Sequence, residues 1–401
     1  MMRRWNTIAF LAVFCAGAAS LLFYVLFRME RMREAAPELT PVAYSDVGGW
    51  DGDDHAAAFA AFRRSCERIT DVEKARGEAG GGGHKPHRLA NVCRKALVLG
   101  TLTDGAEARE FFEIHFTPHR LPGEKLSGFV TGYYEPELKG SRSRSARFSV
   151  PVYRVPDDLV QLFPDSERAR RNHEMTAGRT TAEGIVPYYD RKEIEQGALE
   201  GRSLEILWLD DWADAFYMHV QGSGRVALEE GGHVRLAYAA KNGHSYTAIG
   251  KLLIERGEIA PEKMSMLAVR EWLEENPSKA RELMWENRSF IFFRELSETE
   301  AVLGPSGAQG VALTPLRSLA VDTSIHALGT PVWVNAPELD VHGRHGFARL
   351  MIAQDAGSAI RGAMRGDIFW GSGPAAGDLA GATRHAAEFT VLIPKGDRPE
   401  S

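Results

Sequence analysis

The sequence predicts a mainly β protein with α segments that ends in a small barrel, and three observations carry that prediction. Residues 313–395 break into short apolar runs separated by turn residues, at 318–322, 331–335, 347–355, 367–370 and 387–393. Such closely spaced short strands are the pattern of a small closed sheet. The 40 glycines among 401 residues fit turn-rich β structure better than a helical bundle. Helical spacing of apolar residues, by contrast, is concentrated in two blocks, 55–116 and 246–286.

The length allows two domains or one elaborated domain with a sizeable core. A composition of 44% hydrophobic and 25% charged residues with a formal charge of −6 is that of an ordinary globular protein. It lacks the basic excess of a nucleic-acid binder, and no nucleic-acid partner is expected.

The N-terminus reads separately. Met1-Met2-Arg3-Arg4 precedes an uncharged, mostly apolar run over 8–27, followed by Arg28, Arg31 and Arg33. About twenty such residues can span a bilayer as a helix, and the run is longer than a usual signal-peptide core. Residues 1–28 are therefore read as a membrane anchor or signal, with an uncleaved anchor favoured and the remainder exported. Phe14 before Cys15 argues against lipid attachment, which wants a small residue there. Residues 29–50, with Pro37, Pro41 and Gly48-Gly49, read as a linker.

Ala58, Phe59 and Phe62 mark a helix over 55–66, and 71–87 reads as a charged, then glycine-rich loop. Residues 91–99 and 106–116 are expected as helices, the second capped by Asp104. The character changes at Leu126. A strand over 128–135 ends at Pro136, and β-type runs follow at 148–153, 206–208, 215–221 and 225–228. A polar helical stretch at 191–198 interrupts them. Helices are expected at 246–256, 261–276 and 278–286, with Gly257 stopping the first and Pro261 suiting the first turn of the second. Residues 287–293 return to strand.

Cys66 and Cys93 could close a disulfide in an exported protein; two buried free thiols are the alternative. No Cys/His cluster has zinc-ligand spacing, and no metal or cofactor is expected.

The chemistry then falls to carboxylates. Asp322 (Ala-Val-Asp-Thr-Ser), Asp355 (Ile-Ala-Gln-Asp-Ala-Gly) and Asp367 (Arg-Gly-Asp-Ile-Phe-Trp-Gly) each border a short apolar run. Ionised carboxylates are costly there unless paired, hydrogen-bonded or held protonated. Aromatic neighbours would desolvate Asp367 and raise its pKa, as a general acid needs; the alternative is a turn aspartate. Asp322-Thr323-Ser324 shows only a faint aspartic-peptidase pattern, without the second symmetric lobe. Thr131, Tyr133, Tyr134, Gln221, Ser223 and Arg294 could line a sugar groove, with aromatic faces against pyranose rings. Plain packing of the tyrosines is the alternative.

Several phrases occur in a fixed order: Gly128-Phe129-Val130-Thr131-Gly132-Tyr133-Tyr134-Glu135-Pro136, Val220-Gln221-Gly222-Ser223-Gly224, Ala240-Lys241-Asn242-Gly243-His244-Ser245-Tyr246, Asn287-Arg288-Ser289-Phe290-Ile291-Phe292-Phe293, and the three aspartates. Over residues 126–395 this order closely resembles the membrane-bound lytic murein transglycosylase A family, whose C-terminal module is named for three aspartates. The resemblance implies a double-psi β-barrel domain, 51–136 and 297–395, interrupted by an inserted smaller β-rich domain, 137–296, with a glycan strand in the groove between them. It also implies a peptidoglycan lytic exotransglycosylase in the cell envelope, facing the periplasm. Such an enzyme breaks the β-1,4 bond between N-acetylmuramic acid and N-acetylglucosamine without water and leaves a 1,6-anhydro end. Asp367 would be the single acid and base, Asp355 its companion in the groove, and Asp322 a scaffold residue. Thr131 and Gln221 would face the groove, and Arg294 stands where lysine is usual. Gly366 before Asp367 is expected to loosen that loop. A non-catalytic peptidoglycan-binding module is the alternative, since barrels of this kind also bind carbohydrate without a full acid–base set.

Overall fold

The computed structural model describes residues 39–78, 87–121, 128–163, 175–341, 343, 345–357 and 359–396. The expected anchor, the first part of the expected linker, and Gly80 to Gly83 lie outside the described residues.

Six strands form the barrel: β1 Gly128–Glu135, β2 Ser318–Val321, β3 Pro331–Ala336, β4 Phe347–Ala356, β5 Arg365–Ser372 and β6 Arg384–Pro394. They run in the order β6-β3-β4-β2-β5-β1, and β6 also pairs with β1, which closes the ring. The pairs β2–β4 and β5–β1 are parallel and the other four antiparallel. Alternation sends Val130, Leu319, Val321, Val332, Val334, Met351, Ile368 and Phe389 to one apolar core. Strand Phe116–Arg120 extends the sheet beyond β6, and Thr40–Pro41 pairs with it in turn.

Three helices, α1 His55–Glu78, α2 Ala90–Leu99 and α3 Gly105–His115, pack on the far side of the barrel wall. Their core joins Phe59, Phe62, Phe111 and Phe112 to Trp333, Leu350 and Ile352 from β3 and β4. A disulfide between Cys66 and Cys93 ties α1 to α2, with Cα atoms 4.7 Å apart. The Arg317 guanidinium grips Asp53 with two bonds of 2.7 and 2.8 Å where helices and barrel meet.

Every strand of the second sheet falls between β1 and β2 in the chain. Its order is Ile291–Glu295, His233–Lys241, Ser223–Leu228, Glu137–Ser141, Glu205–Leu209, Val150–Tyr153. The chain steps from the barrel into this sheet through Pro136 alone. Glu135 at the step is fully buried, accepting from Ser372 Oγ at 2.5 Å and pairing with Arg235 of the second sheet at 3.1 Å. A smaller sheet, Leu159–Gln161, Ala177–Thr181 and Gly184–Pro187, and helices Ile249–Glu255, Met266–Glu275 and Pro277–Trp285 complete this half.

Several expected elements change. Residues 215–221, read as a strand, form helix α4 Trp212–Gln221, which Asp211 caps and Gly222 ends at a φ of 77°. Its apolar residues look strand-like because both sides are buried: Ala215 and Met218 face the second sheet, while Phe216 and Tyr217 face the helices. The charged start of the expected 71–87 loop continues α1 to Glu78. Part of the expected linker is folded, since Thr40–Pro41 is paired and Trp50 is 2% exposed. The 191–198 stretch is one helical turn, Arg191–Glu193, widening into a π-type turn over Ile194–Ala198. The strand expected at 287–293 is shifted to Ile291–Glu295. Asp104 caps α3 through the Ala106 and Glu107 N–H groups, as expected.

Candidate active site

Register aligns the candidate residues. Asp355 on β4 lies opposite Ala320 on β2, Ala320 opposite Asp367 on β5, and Asp367 opposite Thr131 on β1. Opposed residues share a face, so two carboxyl groups and a hydroxyl stand in one row on the outside of the barrel. Two strand spacings put the aspartate backbones about 10 Å apart. Gly366, Ile368 and Trp370 alternate to the other face.

Gly366 does not loosen this arrangement. It is buried inside β5, paired with Val130 and Val321, and a Cβ there would come 2.9 Å from the Leu319 side chain. The expected loop is thus a strand, made straight by a residue small enough to sit against the core.

Asp367 keeps 21% of its side-chain surface accessible, as does Arg365. Its Oδ1 accepts from Arg365 Nη1 at 2.5 Å and from the Thr131 hydroxyl. Arg365 Nη2 also donates to Thr131 Oγ1 at 2.7 Å, and Nη1 to the Gly366 carbonyl at 2.7 Å. Burial pushes the Asp367 carboxyl above its ordinary value, while Arg365 and Thr131 pull the other way by favouring the charged form. Sequence reading did not single out Arg365. The available signal was its position two residues before Asp367, which on a strand means the same face.

Asp355 stands in a different setting. Burial pushes it up to about 6, against opposing hydrogen bonds from the Ala308 and Ala356 N–H groups at 2.8 and 2.9 Å; the neighbouring Asp367 charge adds a smaller push upward. The enclosed Tyr133 hydroxyl lies beside Asp355 and is itself pushed well up by burial, yet it makes no hydrogen bond of normal geometry. Its ring packs on Phe369 at 5.2 Å. Asp322 is 5% exposed. It accepts from Ser324 N and Oγ at 3.0 and 2.7 Å and from Gly362 N at 3.0 Å. These bonds hold its carboxyl below the ordinary range despite burial, which is the setting of a turn anchor.

The remaining candidates spread out. Gln221, at the end of α4, accepts from the Tyr134 N–H at 3.1 Å and so ties the second half to β1. Tyr134 packs against the barrel core. Ser223 is 8% exposed at the start of its strand. Arg294 lies on the edge strand of the second sheet, paired with Glu300 at 3.0 Å, and its described contacts do not bring it to the aspartates. Among the described residues no group of three His, Cys, Asp or Glu side chains is arranged to hold a metal ion.

The row of groups can give a proton from a half-enclosed carboxyl and take it back, with a cation beside it. Comparison with known proteins adds the family. A model described as the MltA specific insert domain matches residues 129–294, and one described as the 3D domain matches residues 317–393. Membrane-bound lytic murein transglycosylase A of Escherichia coli K12 is 34% identical over 73% of this chain and 73% of its own length. The crystal structure of a membrane-bound lytic murein transglycosylase from Agrobacterium tumefaciens aligns with a TM-score of 0.78 at 38% identity, covering 89% of this chain and 98% of that one. MltA from Neisseria gonorrhoeae gives 0.73 at 33%, covering 90% and 94%. Escherichia coli MltA with bound chitohexaose gives 0.63 at 30%, covering 90% and 95%. With these matches spanning both halves of the molecule, the chain belongs to the membrane-bound lytic murein transglycosylase A family.

Proposed function

We propose that this chain is a lytic transglycosylase that cleaves the β-1,4 bond between N-acetylmuramic acid and N-acetylglucosamine in peptidoglycan and leaves a 1,6-anhydro end. One observation carries the reading: a half-enclosed carboxyl group, Asp367, whose pKa burial raises and whose position Arg365 and Thr131 fix. Protonated Asp367 donates to the glycosidic oxygen as the C1–O bond breaks. As carboxylate it then takes the proton from the muramic C6 hydroxyl while that oxygen bonds to C1. The nucleophile belongs to the substrate, so a second catalytic carboxylate is not required, unlike in ordinary glycosidases. Asp355 and Tyr133 form the companion wall of the groove, and Asp322 anchors the turn after β2.

The closed ring of β1 to β6 is read as a double-psi barrel within a domain of residues 51–136 and 297–395. Residues 137–296 are the inserted domain, which the placement of all second-sheet strands between β1 and β2 supports. The glycan lies between the halves, near the junction that Gln221 makes with β1. The protein works in the cell envelope, facing the periplasm, held by residues 1–28. That segment lies outside the described residues, among which no helix is long and apolar enough to cross a membrane.

Incubation of the protein with purified murein, followed by mass spectrometry of the released sugars, tests the reading. Anhydro-muropeptides are expected from the wild type, and at least about a thousand-fold fewer from Asp367→Asn, near the range general acid–base catalysis supplies. Release of disaccharide units from the outset would support exo action. Reducing ends would mean hydrolysis, and no release would mean a binding module. Loss of activity in Asp355→Asn but not in Asp367→Asn would overturn the division of roles.

A further inference from the structure

We propose that Arg365 and Thr131 are positioning residues that pin one oxygen of Asp367, Oδ1, and so reserve Oδ2 as the single atom that gives and takes the proton. The proposal rests on the lytic transglycosylase reading and adds an atomic assignment to it.

The hydrogen bonds are asymmetric. Arg365 Nη1 and the Thr131 hydroxyl both donate to Oδ1, and among the described hydrogen bonds none reaches Oδ2. Proton direction in the triangle is fixed by chemistry. A guanidinium only donates, so Thr131 Oγ1 must accept from Arg365 Nη2, and its own proton is directed to Oδ1. Arg365 is itself held by the Gly366 carbonyl at 2.7 Å and lies over the Phe129 ring at 5.4 Å. Two donors, one of them charged, stabilise negative charge on Oδ1 and make it the poorer proton acceptor. The carboxyl proton then belongs on Oδ2.

Proton and electron bookkeeping follows from this assignment. In the first step the Oδ2–H bond breaks, the proton bonds to the glycosidic oxygen, and the C1–O electron pair leaves with that oxygen. In the second step the C6 O–H bond breaks, its proton returns to Oδ2, and the oxygen closes on C1. The enzyme ends as it began and no water is consumed. Because one atom serves both transfers, the departing oxygen and the C6 hydroxyl occupy the same place in turn. The leaving sugar must shift before the ring closes. Arg365 favours the carboxylate that exists between the two steps.

The test uses the full chain on purified murein, measuring kcat, KM and the pH profile of anhydro-product release. Arg365→Gln is expected to lower kcat about 10- to 100-fold with KM within about threefold, and to move the alkaline limb of kcat to higher pH, because Asp367 loses the cation that favours its charged form. Arg365→Lys should rescue in part, since one ammonium cannot reproduce the fork that spans Oδ1 and Thr131. Thr131→Val should lower kcat about tenfold and Thr131→Ser restore it, which keeps the test open if the Arg365 variants fail to fold. A raised KM with unchanged kcat and pH limb would make Arg365 a sugar-binding residue and overturn the proposal, as would a Thr131→Val enzyme equal to wild type. A wild type that releases no anhydro sugar would instead sink the underlying reading.

Discussion

Two arginine–aspartate pairs on the same barrel show how one chemistry serves two ends. At the junction with the helices, Asp53 and Arg317 are each 3% exposed. Both Asp53 oxygens are bound by Arg317, and Oδ2 also accepts from the Leu350 N–H at 2.9 Å. On the outer row, Arg365 binds Asp367 through one oxygen only, and both side chains are 21% exposed. A carboxylate bound on both oxygens and sealed from water is committed to its partners and serves as a structural tie. One bound on a single oxygen and only partly enclosed can still exchange a proton. The number of occupied oxygens, more than the presence of a partner, separates scaffold from chemistry.

The sharpest way to break this contrast is to cut each pair. Asp53→Ala leaves Arg317 buried without its partner, and truncating a buried pair costs about 3–5 kcal/mol. Urea unfolding should show that loss, while the folded fraction keeps the wild-type pH profile of activity. A loss below about 1 kcal/mol would mean that the junction pair is no more structural than the one on the outer row. Asp367→Asn should do the opposite, abolishing release of anhydro sugars with unfolding free energy within about 1 kcal/mol of wild type, because Arg365 is still solvated and bonded to Thr131 and Gly366.

A second expected effect belongs to the helical side alone. The Cys66–Cys93 disulfide spans 27 residues, and closing a loop of that size stabilises by roughly 3.5 kcal/mol in the chain-entropy account. Reduction should lower the unfolding midpoint and leave turnover at 25 °C unchanged. A fall in turnover without a fall in stability would place the disulfide in the working part of the molecule.

The smallest effect tests Asp355. Its folded value of about 6 lies above the roughly 3.9 of an unfolded aspartate. Between those values the folded protein binds the extra proton, so the stability contributed by Asp355 is full below about pH 4 and lost as pH rises through about 6. Asp355→Asn should flatten that slope in urea unfolding measured across the interval. An unchanged slope would remove Asp355 from the class of raised, half-enclosed carboxyl groups to which Asp367 is assigned.

The barrel strands were legible because each pairs a short apolar run with turn residues, and α3 was legible because Asp104 announces its start. Helix α4 was not, since packing on both sides erased the helical period from Phe216, Tyr217 and Met218. The helix Pro374–Ala382 was missed for a different reason: its glycines and alanines read as turn residues. At the site, order and spacing brought the aspartates to attention, but their row is a property of register among β4, β2 and β5, and Thr131 joins it only through a pairing more than two hundred positions away. Arg294 illustrates the converse. Its motif pointed to the groove, while the fold gives it to Glu300.

That distance along the chain has a consequence for when the enzyme comes to life. Thr131 and Asp367 are 236 residues apart, and β6 must pair with β1 before the ring is complete. Pairings of such separation form late, after local contacts have been made. The second sheet can gather its strands from one continuous stretch of chain, and Arg365 sits beside the acid on β5, but Thr131 cannot reach them until β5 has paired with β1 across the whole insertion. A newly made molecule thus holds its acid by one clamp through most of its own folding, and gains the second only when the two ends of the barrel sequence find each other.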